Sequence, residues 1–169
     1  ELQALQQECL ACRRCGLCET RHSVAFGQGA AHAEVMLVGE GPGANEDEQG
    51  LPFVGKSGQL LDHYLEAVDL SRDKNVYIAN IVKCRPPQNR VPTDEEAAAC
   101  KLHLRIQTAL IRPKVIVIYL RTLRLTVGPY QTVKVVVSVS VVESTAEFRF
   151  VVIAIVITIT IVIAITIVI

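Results

Sequence analysis

The stretch VGEGPGANEDEQGLPFVGKSGQLL, residues 38–61, decides how the rest of the chain is read. It follows the apolar run Val35, Met36, Leu37, Val38, whose length and adjoining Gly-Pro-Gly turn predict a short buried strand. A charged loop is expected at Asn45, Glu46, Asp47 and Glu48, then Pro52-Phe53-Val54-Gly55, then a helix beginning near Ser57. Leu60, Leu61, Tyr64, Leu65 and Val68 recur at helical spacing and predict one buried face on that helix. Glycines at a strand end let backbone approach a ligand closely, and the next helix offers free N–H groups to an anion. Backbone, carboxylates and an aromatic ring thus converge at a strand's carboxyl end, where open α/β sheets bind ligands.

Working outward, VYIANIV (76–82) and VIVIY (115–119) read as two further buried strands. Thr93-Asp94-Glu95-Glu96 is a capping box, because Thr93 can accept from the Glu96 N–H while Glu96 reaches back. The helix it opens is expected to end near Ile111, with Pro113 just beyond. Strands alternating with helices of this length imply an α/β fold with a short, mostly parallel central sheet and right-handed crossovers.

The 169 residues suffice for one domain with a real core. With 17 basic against 17 acidic residues there is no global pull towards nucleic acid or a membrane surface, so any polyanion site must be local. ELQALQQECLACRRC carries no apolar signal-peptide core, which makes a cytoplasmic location the expectation. Two regions are expected: 1–120 as the α/β domain, and 121–169 as a divergent Val/Ile/Thr-rich segment completing or trailing it. Part of 133–142 is expected to supply a fourth strand. From 151 to 169 there is no charge, and every odd-numbered residue from Ile153 is isoleucine. Period two in β-branched residues is a strand pattern, so no membrane span is expected.

The cysteines are clustered. Cys9, Cys12, Cys15 and Cys18 stand three apart, with Cys84 and Cys100 distant in sequence. This pattern points to a soft metal centre in a reducing compartment rather than a secreted disulfide scaffold. Three ligand sets fit: the N-terminal cysteines around one iron–sulfur cluster, two close pairs around zinc, or one N-terminal pair joined by Cys84 and Cys100. Residues 50–57, GLPFVGKS, match the phosphate-loop pattern, but no strand runs into them and no magnesium-holding aspartate follows a later strand. Lys56 and Ser57 at a helix start remain candidates for a phosphate of another ligand. The four histidines (His22, His32, His63, His103) are expected on surfaces.

Together the motifs CRRCGLCETR (12–21), FGQG (26–29), VGEGPGANEDEQGLPFVGKSGQLL, VYIANIVKCRPPQNR (76–90), PTDEEAAAC (92–100) and IRPKVIV (111–117) resemble the iron–sulfur (family 4) uracil-DNA glycosylases. The resemblance covers about residues 9–118. It implies a three-layer sandwich and a 4Fe–4S cluster on Cys12, Cys15, Cys84 and Cys100, with Cys9 and Cys18 as spare thiols. It also implies a monomer acting on uracil-containing DNA in base excision repair, with Lys83, Arg85 and Arg90 at phosphates. Uracil would meet Gly39, Gly41, Phe53 and Asn80, and Glu40 or Glu46 would position water. The family's late His-Pro motif is missing, since no histidine follows His103. The resemblance therefore carries an alternative, an impaired iron–sulfur module that binds DNA without turnover.

Overall fold

The computed structural model of the chain describes residues 1–119 and, beyond them, four strands at Leu123–Thr126, Thr132–Val135, Ser138–Val142 and Phe150–Ala154. Helix α1 (Leu2–Leu10) and the short α2 (Leu17–Thr20) precede β1 (Gln28–Gly29) and β2 (Val35–Gly39). Then come α3 (Ala44–Gln49), α4 (Lys56–Glu66), β3 (Val76–Asn80), α5 (Asp94–Ile111) and β4 (Val115–Tyr119). The remaining strands, in chain order, are β5 to β8. Strand β2 pairs in parallel with both β3 and β4, and β1 closes the β3 side antiparallel. On the other side β7 pairs antiparallel with β4, so residues 138–142 supply the expected fourth strand.

Side chains alternate across a strand, and here each set has a different helix to meet. Met36, Val38, Tyr77 and Ala79 pack with Ile111 and Leu104 of α5 and Leu2 of α1. Val35, Leu37, Val76 and Ile78 pack with Leu61 and Leu65 of α4. That arrangement is the expected three-layer α/β sandwich. Helix α5 starts as its sequence dictates: Thr93 Oγ1 accepts from the Glu96 N–H (3.2 Å) and Glu96 Oε2 accepts from the Thr93 N–H (2.8 Å). Such a cap is worth about 1 kcal/mol.

Three details differ from the sequence reading. The charged stretch expected as a loop is helix α3, because its Glu46 reaches back to the Gly43 N–H (3.1 Å) and Gly50 closes it at φ 69°. The buried face of α4 is narrower than its periodicity suggested: Leu60 is 52%, Tyr64 65% and Val68 63% exposed. Only Leu61 and Leu65, one turn apart, reach the sheet. Strand β3 ends at Asn80, two residues early, and the Ile81 and Val82 N–H groups then bond Gly39 O and Glu40 O, holding the next loop against the end of β2. Among the described residues no helix is long and apolar enough to cross a membrane. Phe150–Ala154 is a strand, and the rest of the isoleucine repeat lies outside the described residues.

The fully buried Ile78 and the half-exposed Leu60 make a paired test. Ile78→Ala is expected to cost about 2–5 kcal/mol. Leu60→Ala is expected to stay within about 0.5 kcal/mol of the parent. Urea unfolding midpoints measure both.

Candidate functional site

At the carboxyl ends of β2 and β3 a cavity of about 360 Å³ opens, walled by Glu40, Gly41, Pro42, Gly43, Glu46, Phe53, Ser57, Asn80, Pro86, Asn89, Arg90 and Pro92. The expected Glu40, Glu46, Gly41, Phe53 and Asn80 therefore share one wall. Gly39 lies directly behind it, opposite Asn80 in the parallel register. A β-carbon on Gly39 would collide with Asn80 Oδ1 and stand 2.6 Å from the Phe53 ring, so only glycine leaves both side chains where they are. Asn80 is fully buried, and neither Nδ2 nor Oδ1 has a hydrogen-bond partner within the protein. Two unpaired amide atoms in a packed interior cost about 1–3 kcal/mol each, so this residue is held at the expense of stability.

Phe53 is fixed from below. It has φ 54°, a left-handed conformation that an aromatic residue keeps only where its surroundings hold it. Arg72 supplies that hold: Nη1 donates to Pro52 O (2.7 Å) and Nη2 to Phe53 O (2.6 Å). Its Nε donates to Asp62 Oδ1 on α4 (2.8 Å). A side chain on Gly58 would overlap the Phe53 carbonyl, so α4 begins pressed against this loop.

Glu46 acts as a second clamp. Its Oε1 accepts from the Val54 and Gly55 N–H groups (2.9 Å each), while Oε2 accepts from Gly43. Glu46 thus ties the turn after β2 to the start of α4. One residue on, the buried Asp47 accepts from the His22 and Ser23 N–H groups (3.0–3.2 Å) and anchors the N-terminal segment. Neither Arg72 nor Asp47 belongs to a recognisable spacing, and only their buried bonds mark them.

The expected phosphate contacts divide. Lys56 and Ser57 are exposed at the start of α4, and Ser57 reaches the cavity. Arg85 donates to Asn89 Oδ1 (2.8 Å), and Arg90, at the cavity wall, makes a two-pronged pair with Glu96 (2.7 and 2.8 Å). Lys83 overturns its expectation: it is 1% exposed, with Nζ donating to Asn80 O (2.8 Å) and Gln107 Oε1 (2.6 Å). A lysine sealed between β3 and α5 has no route to a phosphate. Burial lowers its pKa to about 8.

On the far side of Lys83 lies a small recess lined by all six cysteines together with Arg14, Arg21, Lys83, Ala99 and His103. Cys12, Cys15, Cys84 and Cys100 meet there across distances in sequence of up to 88 residues. Cys9 and Cys18 are not set apart from them, and Cys9 is fully buried. All six are free thiols. Arg21 donates through Nη1 to Cys84 Sγ (3.1 Å) and through Nη2 to Leu10 O (3.1 Å). Burial pushes the Cys9 thiol up to about 12, and raises Cys84 and Cys100 against the lowering effects of Arg21 and Lys83. Among the described residues no three His, Cys, Asp or Glu side chains are gathered tightly enough for a single metal ion. His103, expected on the surface, is 1% exposed at this recess. Leucine-rich flanks gave no signal for it beyond its place three residues after Cys100.

A three-layer sandwich with a polar-floored cavity at the carboxyl ends of parallel strands defines an α/β ligand-binding protein of the strand-end type. Residues 26–144 match the family model of the uracil DNA glycosylase superfamily, and the chain belongs to that superfamily. It is 45% identical over 117 residues to a type-4 uracil-DNA glycosylase of Sulfurisphaera tokodaii, covering 69% of this chain and 53% of that protein. Similar enzymes of Archaeoglobus fulgidus (46% over 116 residues; 69% and 58%) and Thermotoga maritima (44% over 116 residues; 69% and 60%) match as well. The chain thus spans between half and two-thirds of the length of these relatives.

One ionisable pair at the cavity rim sets a pH dependence. The Arg90 guanidinium, with help from Thr93, holds the Glu96 carboxyl down at about 2, below its ordinary 4.5. A depressed folded-state pKa contributes stability that is present above the unfolded value and is lost as pH falls through the folded one. Unfolding measurements are expected to show wild type losing this contribution between pH about 4.5 and about 2. Glu96→Gln is expected to lack that part of the pH dependence while being less stable than wild type at neutral pH.

Proposed function

We propose that this chain acts on uracil-containing DNA as a uracil-DNA glycosylase, hydrolysing the N-glycosidic bond of a deoxyuridine flipped out of the strand. The observation that carries the reading is Asn80, a fully buried amide with both polar atoms unpaired at the floor of a cavity walled by Phe53. Uracil presents an N–H beside a carbonyl on its pairing edge, so Nδ2 donates to O4 while Oδ1 accepts from N3–H. In the same orientation cytosine sets its amino group against Nδ2 and is rejected. Phe53 supplies the stacking face. Extracting the base costs a few kcal/mol, which stacking and the two amide bonds offset.

Bond cleavage builds positive charge on the sugar and negative charge on the departing uracil. The Gly41 N–H, in the turn after β2, stabilises the anion in the manner of an oxyanion hole, since Pro42 has no N–H and that of Gly43 is taken by Glu46. Glu40, at the cavity wall, positions the attacking water and faces the sugar cation. Glu46 accepts three backbone N–H groups, which supports a role in fixing the loop. Ser57 and Arg90 line the cavity and, with exposed Lys56 and with Arg85, serve as phosphate contacts, Arg90 being shared with Glu96.

The cysteine recess fits a 4Fe–4S cluster held by Cys12, Cys15, Cys84 and Cys100. Four thiolates around a single zinc ion stand about 2.3 Å from it. The cysteines here ring a recess without gathering around one point, as a larger cluster requires. When bound, the cluster supplies a cross-link between the N-terminal segment and the loop after β3, and that loop carries Pro86, Asn89 and Arg90 to the cavity.

Free uracil is expected from a uracil-containing single strand, and none from a thymine control, when anaerobically purified protein is assayed. Asn80→Ala is expected to lower release by about 100-fold or more. Folded, iron-loaded wild type that releases no uracil would overturn the enzymatic reading and leave a DNA-binding module.

A further inference from the structure

His103, like Asn80, is a buried side chain whose polar atoms find no partner among the described residues. It is 1% exposed, and both Nδ1 and Nε2 lack a hydrogen bond. It projects from the same face of α5 as Ala99 and Cys100, one turn earlier, and all three line the cysteine recess. In either protonation state an imidazole carries at least one N–H. Sealing that donor in without an acceptor is costly, and the other side chains at the recess are six sulfurs, three cations and one methyl group. Arg14, Arg21 and Lys83 are donors only, so among the described residues lining the recess the side-chain acceptors are sulfurs, the nearby Glu8 carboxylate being paired with Arg14 (3.1 Å).

We propose that His103 donates an N–H hydrogen bond to a sulfur of the iron–sulfur centre and thereby sets its reduction potential. This inference rests on the cluster reading given under the proposed function. His103 is not a ligand in this arrangement, since Cys12, Cys15, Cys84 and Cys100 already complete four. It is a positioning residue for charge. An N–H aimed at a sulfur favours the more negative, reduced state, and hydrogen bonds to sulfur are one of the levers that set such potentials. Arg21, also at the recess, already donates to a sulfur, Cys84 Sγ, at 3.1 Å. Arg21 and His103 together give the recess two N–H donors, with Lys83 and Arg14 as further positive charge.

The test begins with iron and acid-labile sulfide counts on anaerobically purified full-length chain. Protein that folds without iron or sulfide would overturn the cluster reading and this inference together. Given a cluster, wild type grown with ¹⁵N-histidine and reduced is expected to show a weak nitrogen coupling in pulsed paramagnetic resonance. The strong coupling of a directly bound nitrogen, or none at all, would overturn the inference while leaving the cluster in place. In film voltammetry, His103→Leu is expected to keep its iron and to shift the reduction equilibrium roughly two- to tenfold towards the oxidised form. His103→Gln, which restores an N–H, is expected to recover part of that shift. An unchanged equilibrium in His103→Leu, or loss of iron from it with retained fold, would count against the hydrogen bond.

Discussion

Gly39 and Asn80 face one another across the parallel register of β2 and β3, and there is no room between them for a β-carbon. Much of the site follows from that single steric fact. Because Gly39 is bare, the Asn80 amide and the Phe53 ring both reach the end of the central strand. Because Phe53 must then turn through a left-handed conformation, its carbonyl needs Arg72, and the start of α4 needs Gly58. Glu46 closes the same loop from the other side with three backbone N–H groups. The cavity is thus a strained constellation held open by a ring of short polar contacts, as is common where stability is exchanged for readiness to bind.

The cavity and the cysteine recess share their materials. The stretch from the end of β3 onward contributes Asn80 to one, Cys84 to the other, and then Pro86, Asn89 and Arg90 to the first again. Lys83 sits between them with its Nζ on Asn80 O, buried and bonded to Gln107. Gln107 in turn donates to Phe26 O (2.9 Å) and the Tyr77 hydroxyl (3.2 Å), so α5, β3 and the N-terminal segment meet at one polar knot. A few buried bonds thus link the two sites. On the proposed reading, a cluster remote from the chemistry would tie down the loop that walls the cavity.

Charge is arranged locally throughout, as a chain with no net charge requires. Arg90 stands at the cavity wall, whereas Lys83 is buried and Arg21 is bonded to Cys84 at the sulfur-lined recess. The proposed function asks for both: an anionic backbone to be met outside and an anionic cluster to be balanced inside. Sequence distance alone does not separate these roles, since Lys83 and Arg85 are two residues apart and face opposite demands.

Much was legible in the chain itself. The apolar runs at β2, β3 and β4, the Thr93 capping box and the gathering of Glu40, Gly41 and Phe53 at a strand end follow from local patterns, because hydrogen bonding and periodicity act over a few residues, whereas Asn80 was marked by the family resemblance. What only the tertiary structure decided is which partners those residues meet. Leu60, Tyr64 and Val68 carry the right period yet face outward, since α4 touches the sheet along one narrow line. Lys83 and His103 read as surface residues and are sealed inside, because α5 and the loop after β3 close over them. Burial is a property of what packs on top, and the segments that cover Lys83 and His103 lie far away in sequence or on another element. Local pattern therefore determined the elements and the strand-end site, while long-range packing decided which charges and polar atoms were available to work there.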